Sequence, residues 1–328
     1  MTEHDPEFTR QELESAILGE SPELTSEALA AAAGVTVEQA RRLWRALGFP
    51  DAGDAAAFTG ADHVALTTLV GAVNEGAFDF DTAVRLTRAV GQTMARLADW
   101  QVATLSARVE QLESGDEATG SRIGSALRLA EQVGVPFEQL LIYAWRRHLA
   151  VAVSRVEALG AADEDLHTSE VTVGFADLVS FTALSNTMDE DRIGDMVEVF
   201  ESRCADVVAG RHGRVIKTLG DSVLFISEDP VRAMDIALSI VEVIGNDKRL
   251  PDVKIGLATG SVVMRLGDVF GPPVNMAARL TGVARRNRVI TDPATAELLP
   301  PDRFDSRPLP ARPLRGFGLV EPVAVRRL

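Results

Sequence analysis

The chain changes its residue pattern near position 168, and this change limits the folds that are open to it. Residues before about 160 are rich in alanine and leucine and have few β-branched runs, which predicts helices. After 168, short apolar runs alternate with longer amphipathic stretches, which predicts strands and helices of one sheet-containing domain. A length of 328 residues also fits two domains better than one.

Composition and charge narrow the functional classes. Hydrophobic residues make up 46% and charged residues 25% of the chain, as in ordinary globular proteins. No apolar run reaches 18 residues and the first residues are polar and acidic, so we expect a cytoplasmic protein without a membrane span. The net charge of −15 argues against broad contact with nucleic acid or anionic lipid. Cys204 is the only cysteine, so an intramolecular disulfide is impossible.

The first part of the chain is predicted to be wholly helical. The expected helices are 7–18, 24–33, 36–47, 61–74, 79–111, 119–133 and 136–160. A break at Gly91 is possible in the fifth, and the last is expected to begin at Pro136, a favourable first-turn residue. The predicted divisions are an all-helical domain at 1–135, a linker helix and loop at 136–167, and a second domain at 168–328.

The second domain is predicted to be α+β. Strand patterns occur in VTVGFADL, in both halves of RVIKTLGDSVLFIS, in VKIGLATG and in SVVMRL. Helices are expected at 188–210, 230–245 and 273–286, and further strands near 288–291 and 319–326. The order βαββαβ predicts a ferredoxin-like sheet with its helices on one face.

Two aspartates in this domain are candidate metal ligands. Asp177 ends an apolar strand, and Asp221 follows Gly220 in a tight turn. Taken alone, Asp177 also fits a helix N-cap, and Asp221 also fits a purely conformational turn role. If their strands are neighbours, the carboxylates can hold two Mg²⁺ or Mn²⁺ ions about 3.5–4 Å apart. One ion would activate an attacking hydroxyl, and the other would neutralise a triphosphate.

Two further residue pairs are candidate nucleotide contacts. Lys217 offers only donors and Asp268 only acceptors, which matches adenine and leaves guanine unpaired. Asn275 and Arg279 lie four residues apart on a predicted helix and so share one face. The arginine fork suits a reacting phosphate, and the asparagine can orient a ribose. Taken alone, Lys217 also fits a solvated edge-strand lysine, and the helical pair also fits a plain surface pair.

The segments that carry these residues together resemble the class III nucleotidyl cyclase family. They read GFADLVSFT at 174–182, VIKTLGDSVLF at 215–225 and GDVFGPPVNMAARL at 267–280. The resemblance implies an adenylate cyclase that converts ATP to 3′,5′-cyclic AMP and diphosphate with two divalent metal ions. It also implies a head-to-tail homodimer, in which the metal residues come from one chain and the base and phosphate residues from the other.

The family resemblance carries over to a defined set of positions. Arg315 stands where many members have lysine and would contact the triphosphate. The implied residues are Asp177, Leu178 and Asp221 for the metals, Lys217, Asp268, Phe181, Thr182 and Arg315 for the substrate, and Asn275 and Arg279 for catalysis.

The helical part allows alternatives. Residues 24–49 resemble the helix-turn-helix of MerR-type regulators, so a DNA-binding regulator, or a scaffold with a silenced cyclase domain, is a second hypothesis. Residues 21–50 contain three arginines and three acidic residues, so nucleic acid is not the expected partner. The resemblance to mycobacterial-type soluble cyclases instead implies an autoinhibitory domain, in some members responsive to pH or to a lipid or other small ligand. His167 is the first residue to test for pH sensing, and simple dimerisation is a third reading.

Overall fold

The computed structural model describes residues 9–115, 118–158, 168–265 and 267–328. The chain divides into two compact units, Met1–Ser154 and Arg155–Leu328. Each unit has its own hydrophobic core. The boundary between the units falls inside a helix, and the domain limits predicted at 135 and 168 stay predictions.

The first unit is helical, as expected. Its helices are α1 (Arg10–Leu18), α2 (Ser26–Ala32), α3 (Val37–Leu47), α4 (Gly60–Asn74), α5 (Phe80–Glu113) and α6 (Arg122–Ala158), the last of which continues into the second unit. Polar side chains cap the first five of these helices. At α3, Thr36 accepts from the Gln39 N–H and the Gln39 side chain accepts from the Thr36 N–H, which satisfies donors that a helix start leaves open. Leu29, Leu43 and Leu66 are buried in the core of this unit.

Two long helices continue where breaks were expected. α5 runs through Gly91, where an added Cβ would lie 2.3 Å from the Leu47 carbonyl oxygen. The glycine therefore lets α5 pack directly on the end of α3. α6 replaces the two helices predicted at 119–133 and 136–160 and contains Pro136, because one missing N–H removes a single hydrogen bond and more often kinks a long helix than ends it. The predicted linker loop and His167 lie outside the described residues.

The second unit combines a sheet with helices. Its elements in chain order are β1 (Thr168–Leu178), α7 (Phe181–Ser185), α8 (Glu190–Gly210), β2 (Arg214–Leu219), β3 (Ser222–Ser227), α9 (Pro230–Asn246), β4 (Val253–Arg265), β5 (Asp268–Phe270), α10 (Pro272–Val283), β6 (Arg288–Thr291), α11 (Pro293–Glu297), β7 (Phe304–Pro308), β8 (Arg312–Leu314), β9 (Gly318–Val320) and β10 (Val323–Arg327).

The sheet order is β2-β3-β1-β4-β6-β10-β7, with β5 paired to β4. Its first four strands are antiparallel neighbours and, with α8 and α9, form the predicted ferredoxin-like βαββαβ unit. The segments VKIGLATG and SVVMRL, expected as two strands, are joined in the single strand β4. β6 continues the sheet parallel to β4, and β8 and β9 form a separate two-stranded ribbon.

The helices of the βαββαβ unit, α8 and α9, lie on one face of this sheet as expected, but α10 lies on the opposite face, which was not expected. Phe200 of α8 and Ile240 of α9 are fully buried in one core layer, whereas Ala277 of α10 belongs to another. Gly256 of β4 explains the second layer, because an added Cβ would lie 2.4 Å from both the Ala277 carbonyl oxygen and the Thr281 nitrogen. The missing side chain lets α10 lie against the strand. None of the described helices combines the length and apolar character needed to cross a bilayer.

Candidate active site

The two candidate metal ligands meet at one end of the sheet. β1 pairs with β3 so that Asp177 lies opposite Ser222, the residue after Asp221. The Leu178 N–H donates to the Asp221 carbonyl over 3.0 Å and ties the strand to the turn. Gly220 supplies the left-handed conformation of that turn with a φ of 67°. The neighbouring strands that the metal hypothesis required are therefore present.

The electrostatics of this corner favour a bound cation. Burial, and then the negative charge of Asp177, raise the pKa of Asp221 above its ordinary value, and Lys254 partly opposes this. The two carboxylate oxygens of Asp177 accept from the Ser222 hydroxyl and from Lys254 Nζ, the latter over 2.8 Å. A divalent cation would relieve the same repulsion that the lysine relieves in part. The residues present therefore fit a metal ion.

The protein offers such an ion few ligands. Leu178 has a buried apolar side chain and can contribute only its backbone carbonyl. Within the described ranges, no group of three or more His, Cys, Asp and Glu side chains could hold a metal. Mg²⁺ commonly uses one or two carboxylates together with substrate phosphates. A metal in this corner would accordingly bind together with a phosphorylated substrate.

The two candidate base contacts also lie together. Lys217 Nζ of β2 is 2.5 Å from Asp268 Oδ2 of β5, and the Val269 N–H donates to the other carboxylate oxygen over 2.9 Å. Burial opposes ionisation of Asp268, but the hydrogen bonds from Lys217 and Val269 outweigh it and hold its pKa below the ordinary value. The side chains keep 32% and 27% of their surface exposed, so a ligand can reach them.

Asn275 and Arg279 lie on the exposed side of α10. Ala277 and Leu280 on the same helix are buried against the sheet. Pro272 and Pro273 begin the helix directly after Gly271, which gives a stiff first turn. The two polar side chains are thus free to contact a ligand from one face, as their spacing predicted.

The remaining candidate residues occupy two other places. Phe181 and Thr182 begin α7 immediately after β1, where Phe181 is half-buried against the main core and Thr182 is exposed. Arg315 is exposed in the turn between β8 and β9. In the described parts of the chain, no hydrogen bond or ion pair joins Arg315 to the candidate metal or base residues.

The site residues form two separate groups within one chain. We call Asp177, Asp221 and Lys254 the metal group, and Lys217 and Asp268 the base group. Leu219 of β2 lies opposite Ser222, and Ser222 lies opposite Asp177, so Lys217 stands two residues along β2 and two strands across from Asp177. These steps correspond to about 12 Å between the two Cα atoms. No described hydrogen bond or ion pair joins the two groups.

Comparison with known proteins agrees with this geometry. The model of the adenylate and guanylate cyclase catalytic domain matches residues 164–322. An adenylate cyclase of Streptomyces coelicolor is 40% identical over 342 residues, covering 96% of this chain and 89% of that protein. The chain belongs to the class III nucleotidyl cyclase family. These two matches confirm the predicted family and the predicted enzyme class, which is adenylate cyclase.

A second bacterial relative gives the same assignment. An adenylate cyclase of Glutamicibacter nicotianae is 38% identical over 338 residues, covering 97% of the cyclase described here and 83% of the relative. The solved catalytic core of a rhodopsin-guanylyl cyclase with converted specificity has a TM-score of 0.47 and 23% identity, covering 49% of this chain and 98% of that one. The two bacterial relatives extend across the helical unit as well as the catalytic domain.

One residue of the metal group was missed in the sequence. Lys254 occupies the second position of the buried strand pattern VKIGLATG, where a charged residue among apolar ones is unexpected. A lysine in an otherwise apolar strand pattern was therefore the signal that could have identified this residue. Its partner could be recognised only from the β1–β4 register, which places Lys254 opposite Asp177.

The helix-turn-helix-like segment of the cyclase forms its two predicted helices, α2 and α3. Its arginines are engaged by acidic residues of the same unit. Arg42 lies 2.6 Å from Asp81, and Arg45 lies 3.3 Å from Asp51. Side chains that are already paired are less available to DNA phosphates. The segment therefore resembles a packing element more than a nucleic-acid surface.

Proposed function

We propose that this protein is an adenylate cyclase that forms 3′,5′-cyclic AMP and diphosphate from ATP. The observation that carries the proposal is the grouping of the candidate residues, because Asp177 lies beside Asp221 and Lys217 pairs with Asp268. The reaction is intramolecular: the 3′-hydroxyl oxygen bonds to the α-phosphorus, and the bond from that phosphorus to the departing diphosphate breaks. No protein nucleophile is required, because positioning and charge neutralisation supply the catalysis.

Each group has a distinct part in this reaction. Lys217 donates to adenine N1 and Asp268 accepts from the exocyclic amine, which leaves guanine unpaired. Arg279 holds the reacting phosphate through its guanidinium fork, and Asn275 orients the ribose. Phe181, Thr182 and Arg315 complete the substrate contacts. Asp177 and Asp221, with the Leu178 carbonyl, would hold two Mg²⁺ or Mn²⁺ ions, which would supply positive charge to the triphosphate and lower the pKa of the attacking hydroxyl.

The catalytic assembly in this proposal is the head-to-tail homodimer that the family resemblance implies. In such a dimer the metal group of one chain faces the base group of the other, and the two-fold symmetry produces two equivalent sites. Neither chain can build a complete site alone. This arrangement also explains why both groups are present in one sequence.

The helical unit regulates this assembly in our proposal. Two observations support this. The similarity to the two bacterial adenylate cyclases extends over the helical unit. In addition, α6 continues across the boundary between the compact units. A shift in the packing of that helix would move one catalytic half against the other. The signals that we propose for it are a change of pH and the binding of a lipid or another small ligand.

The test measures cyclic nucleotide formation by the full chain with Mn²⁺, with ATP and GTP in parallel. We expect cyclic AMP from ATP only, and its loss in Asp221→Ala. Arg232→Ala, an exposed substitution on α9, is the matched control. Formation of cyclic GMP at a comparable rate would overturn the base assignment, and unchanged activity in Asp221→Ala would overturn the metal assignment.

Regulation is tested separately with a truncated protein that begins near residue 165. Higher activity than the full chain at equal concentration supports autoinhibition. Lower activity that is restored at high protein concentration supports a helical unit that only promotes dimerisation. Equal activity and an equal pH profile at all concentrations would contradict both roles. Sequence-specific retention of DNA by the full chain, lost in Arg42→Glu, would instead support the helix-turn-helix hypothesis.

A further inference from the structure

A basic cleft lies in the second unit, among residues that the catalytic proposal does not use. It has a volume of about 440 Å³ and is lined by residues of β6, β7, β8 and β10 and by the segment that follows α10. The charged residues in its lining are Arg285, Arg288, Asp305, Arg307, Arg312 and Arg326. Five cations and one anion surround a single concavity in a chain whose net charge is −15.

Most of this positive charge is not neutralised by the protein. Asp305 pairs with Arg326, whose Nε and Nη2 both lie 2.7 Å from one carboxylate oxygen. Among the described residues, the other four arginines have no acidic side chain within ion-pair distance. Guanidinium groups that share a concave surface repel one another, and an anion between them removes that repulsion. The arrangement is thus most favourable with an anionic ligand in the cleft.

The shape and chemistry of the cleft limit the ligand. Its floor contains the apolar Ile290 and Ala324, and Pro310 and Pro322 stiffen its rim. The volume lies in the range of small-molecule sites and exceeds the needs of one phosphate ion. The described lining contains no aromatic side chain on which a base could stack. A guanidinium fork binds phosphate oxygens in a bidentate manner. Several linked phosphates match four such forks better than a single anion does.

We propose that this cleft is a binding site for a compact polyphosphate, distinct from the candidate active site. The ligand is either inorganic polyphosphate, such as diphosphate or tripolyphosphate, or the phosphate chain of a nucleotide, because both present the same linked anionic oxygens. Since the lining offers no stacking surface, the phosphates dominate recognition and the base contributes little. The proposal does not depend on the reaction assigned to the catalytic domain.

The experiment is calorimetric titration of the full chain with inorganic tripolyphosphate, in EDTA so that no divalent ion is present. We expect one site per chain, weakened at least tenfold in the double variant Arg288→Glu/Arg307→Glu and weakened strongly by added salt. Arg232→Glu, an exposed charge reversal on α9, is the matched control and should bind as the wild type does. Arg307→Gln provides a milder variant if the double reversal impairs folding, which a thermal melt would reveal.

Two comparisons identify the source of the phosphates and the place of binding. Equal affinity for tripolyphosphate, ATP and GTP indicates recognition of the phosphate chain, and tight binding by tripolyphosphate alone indicates an inorganic ligand. Binding should persist in Lys217→Ala, which alters only the base group. The proposal is overturned if tripolyphosphate does not bind, if the cleft and control variants bind equally, or if Lys217→Ala abolishes binding.

Discussion

Lys254 Nζ lies 2.8 Å from Asp177 Oδ2, directly across the β1–β4 pair. The side chains are only 24% and 20% exposed, so water screens this ion pair incompletely. It places one positive charge beside two carboxylates and offsets part of the repulsion between them.

Removing that charge should destabilise the metal-free protein. We expect Lys254→Met to lower Tm at pH 7 by about 2–4 °C, which corresponds to roughly 1 kcal/mol for a unit of this size. The loss should be smaller in an Asp177→Asn background, where the ion pair is already absent. Thermal melts of the single and double variants at pH 7 in EDTA measure this, with the exposed Lys248→Met as control. An equal loss in both backgrounds would show that packing, and not charge, is responsible.

Asp221→Asn should have the opposite effect in the absence of metal. Because the folded-state pKa of Asp221 is raised, its contribution to stability is present below its ordinary pKa and is lost as the pH rises through the raised value. The uncharged variant should therefore melt at a higher temperature than the wild type at pH 7, and the difference should shrink as the pH falls. Adding Mn²⁺ with a non-reactive ATP analogue should stabilise the wild type only. A variant less stable than the wild type at pH 7 would contradict this account.

Mixing two inactive variants tests the shared site. Asp221→Ala lacks the metal group and Lys217→Ala lacks the base group, so each homodimer is inactive. After exchange of chains at equal amounts, about half of the dimers are mixed, and each mixed dimer has one intact site. Cyclic AMP formation should return to about a quarter of the wild-type rate. Failure to recover activity, despite demonstrated chain exchange, would argue against sites shared between chains.

The preference for ATP over GTP should depend on the hydrogen bonds that Lys217 and Asp268 make with the base. Lys217→Glu/Asp268→Cys replaces a donor with an acceptor and removes the acceptor that faces the adenine amine. We expect the ratio of kcat/KM for ATP over GTP to fall by at least about 100-fold. Lys217→Arg, which keeps the donors, should retain the preference for ATP. A double variant that still prefers ATP would remove this pair from base recognition.

Gly256→Ala should displace the helix that carries Asn275 and Arg279. Its new methyl group would lie 2.4 Å from the backbone of α10, which costs about 1–3 kcal/mol as overpacking. kcat should fall with little change in metal affinity. Gly282→Ala adds the same group to α10 itself, with nothing within 4 Å, and should leave kcat unchanged. Equal kcat in the two variants would mean that α10 tolerates the displacement.

The parts of the fold that follow from local pattern were predictable, and those that depend on tertiary packing were not. The neighbouring strands of Asp177 and Asp221 follow from the βαββαβ order, because that order fixes strand adjacency. The position of α10 on the second face depends on the contact between Gly256 and the Ala277 carbonyl, and no periodicity reports such a contact. Pro136 likewise suggested a helix start, although a long helix can pass through one proline.

Some residues of the candidate site were likewise predictable from the sequence, and others were not. Lys217 and Asp268 were predictable as a donor and acceptor pair from residue chemistry, and the structure places them within hydrogen-bond distance. Lys254 was not, because its role depends on which residue lies across the sheet. The arginines of the basic cleft come from four strands and one turn, so they are dispersed in the sequence and form a group only after folding.

The metal group and the base group share no described hydrogen bond or ion pair within one chain, and an active site built from two chains would have a consequence at the level of the cell. If a single chain cannot complete a site, the amount of second messenger depends on how often two chains meet. While most chains are unassociated, halving their abundance lowers total output about fourfold, by mass action. The need for two chains at each site would then make the output of the cyclase depend on its own abundance, low when the protein is scarce and disproportionately high when its expression rises.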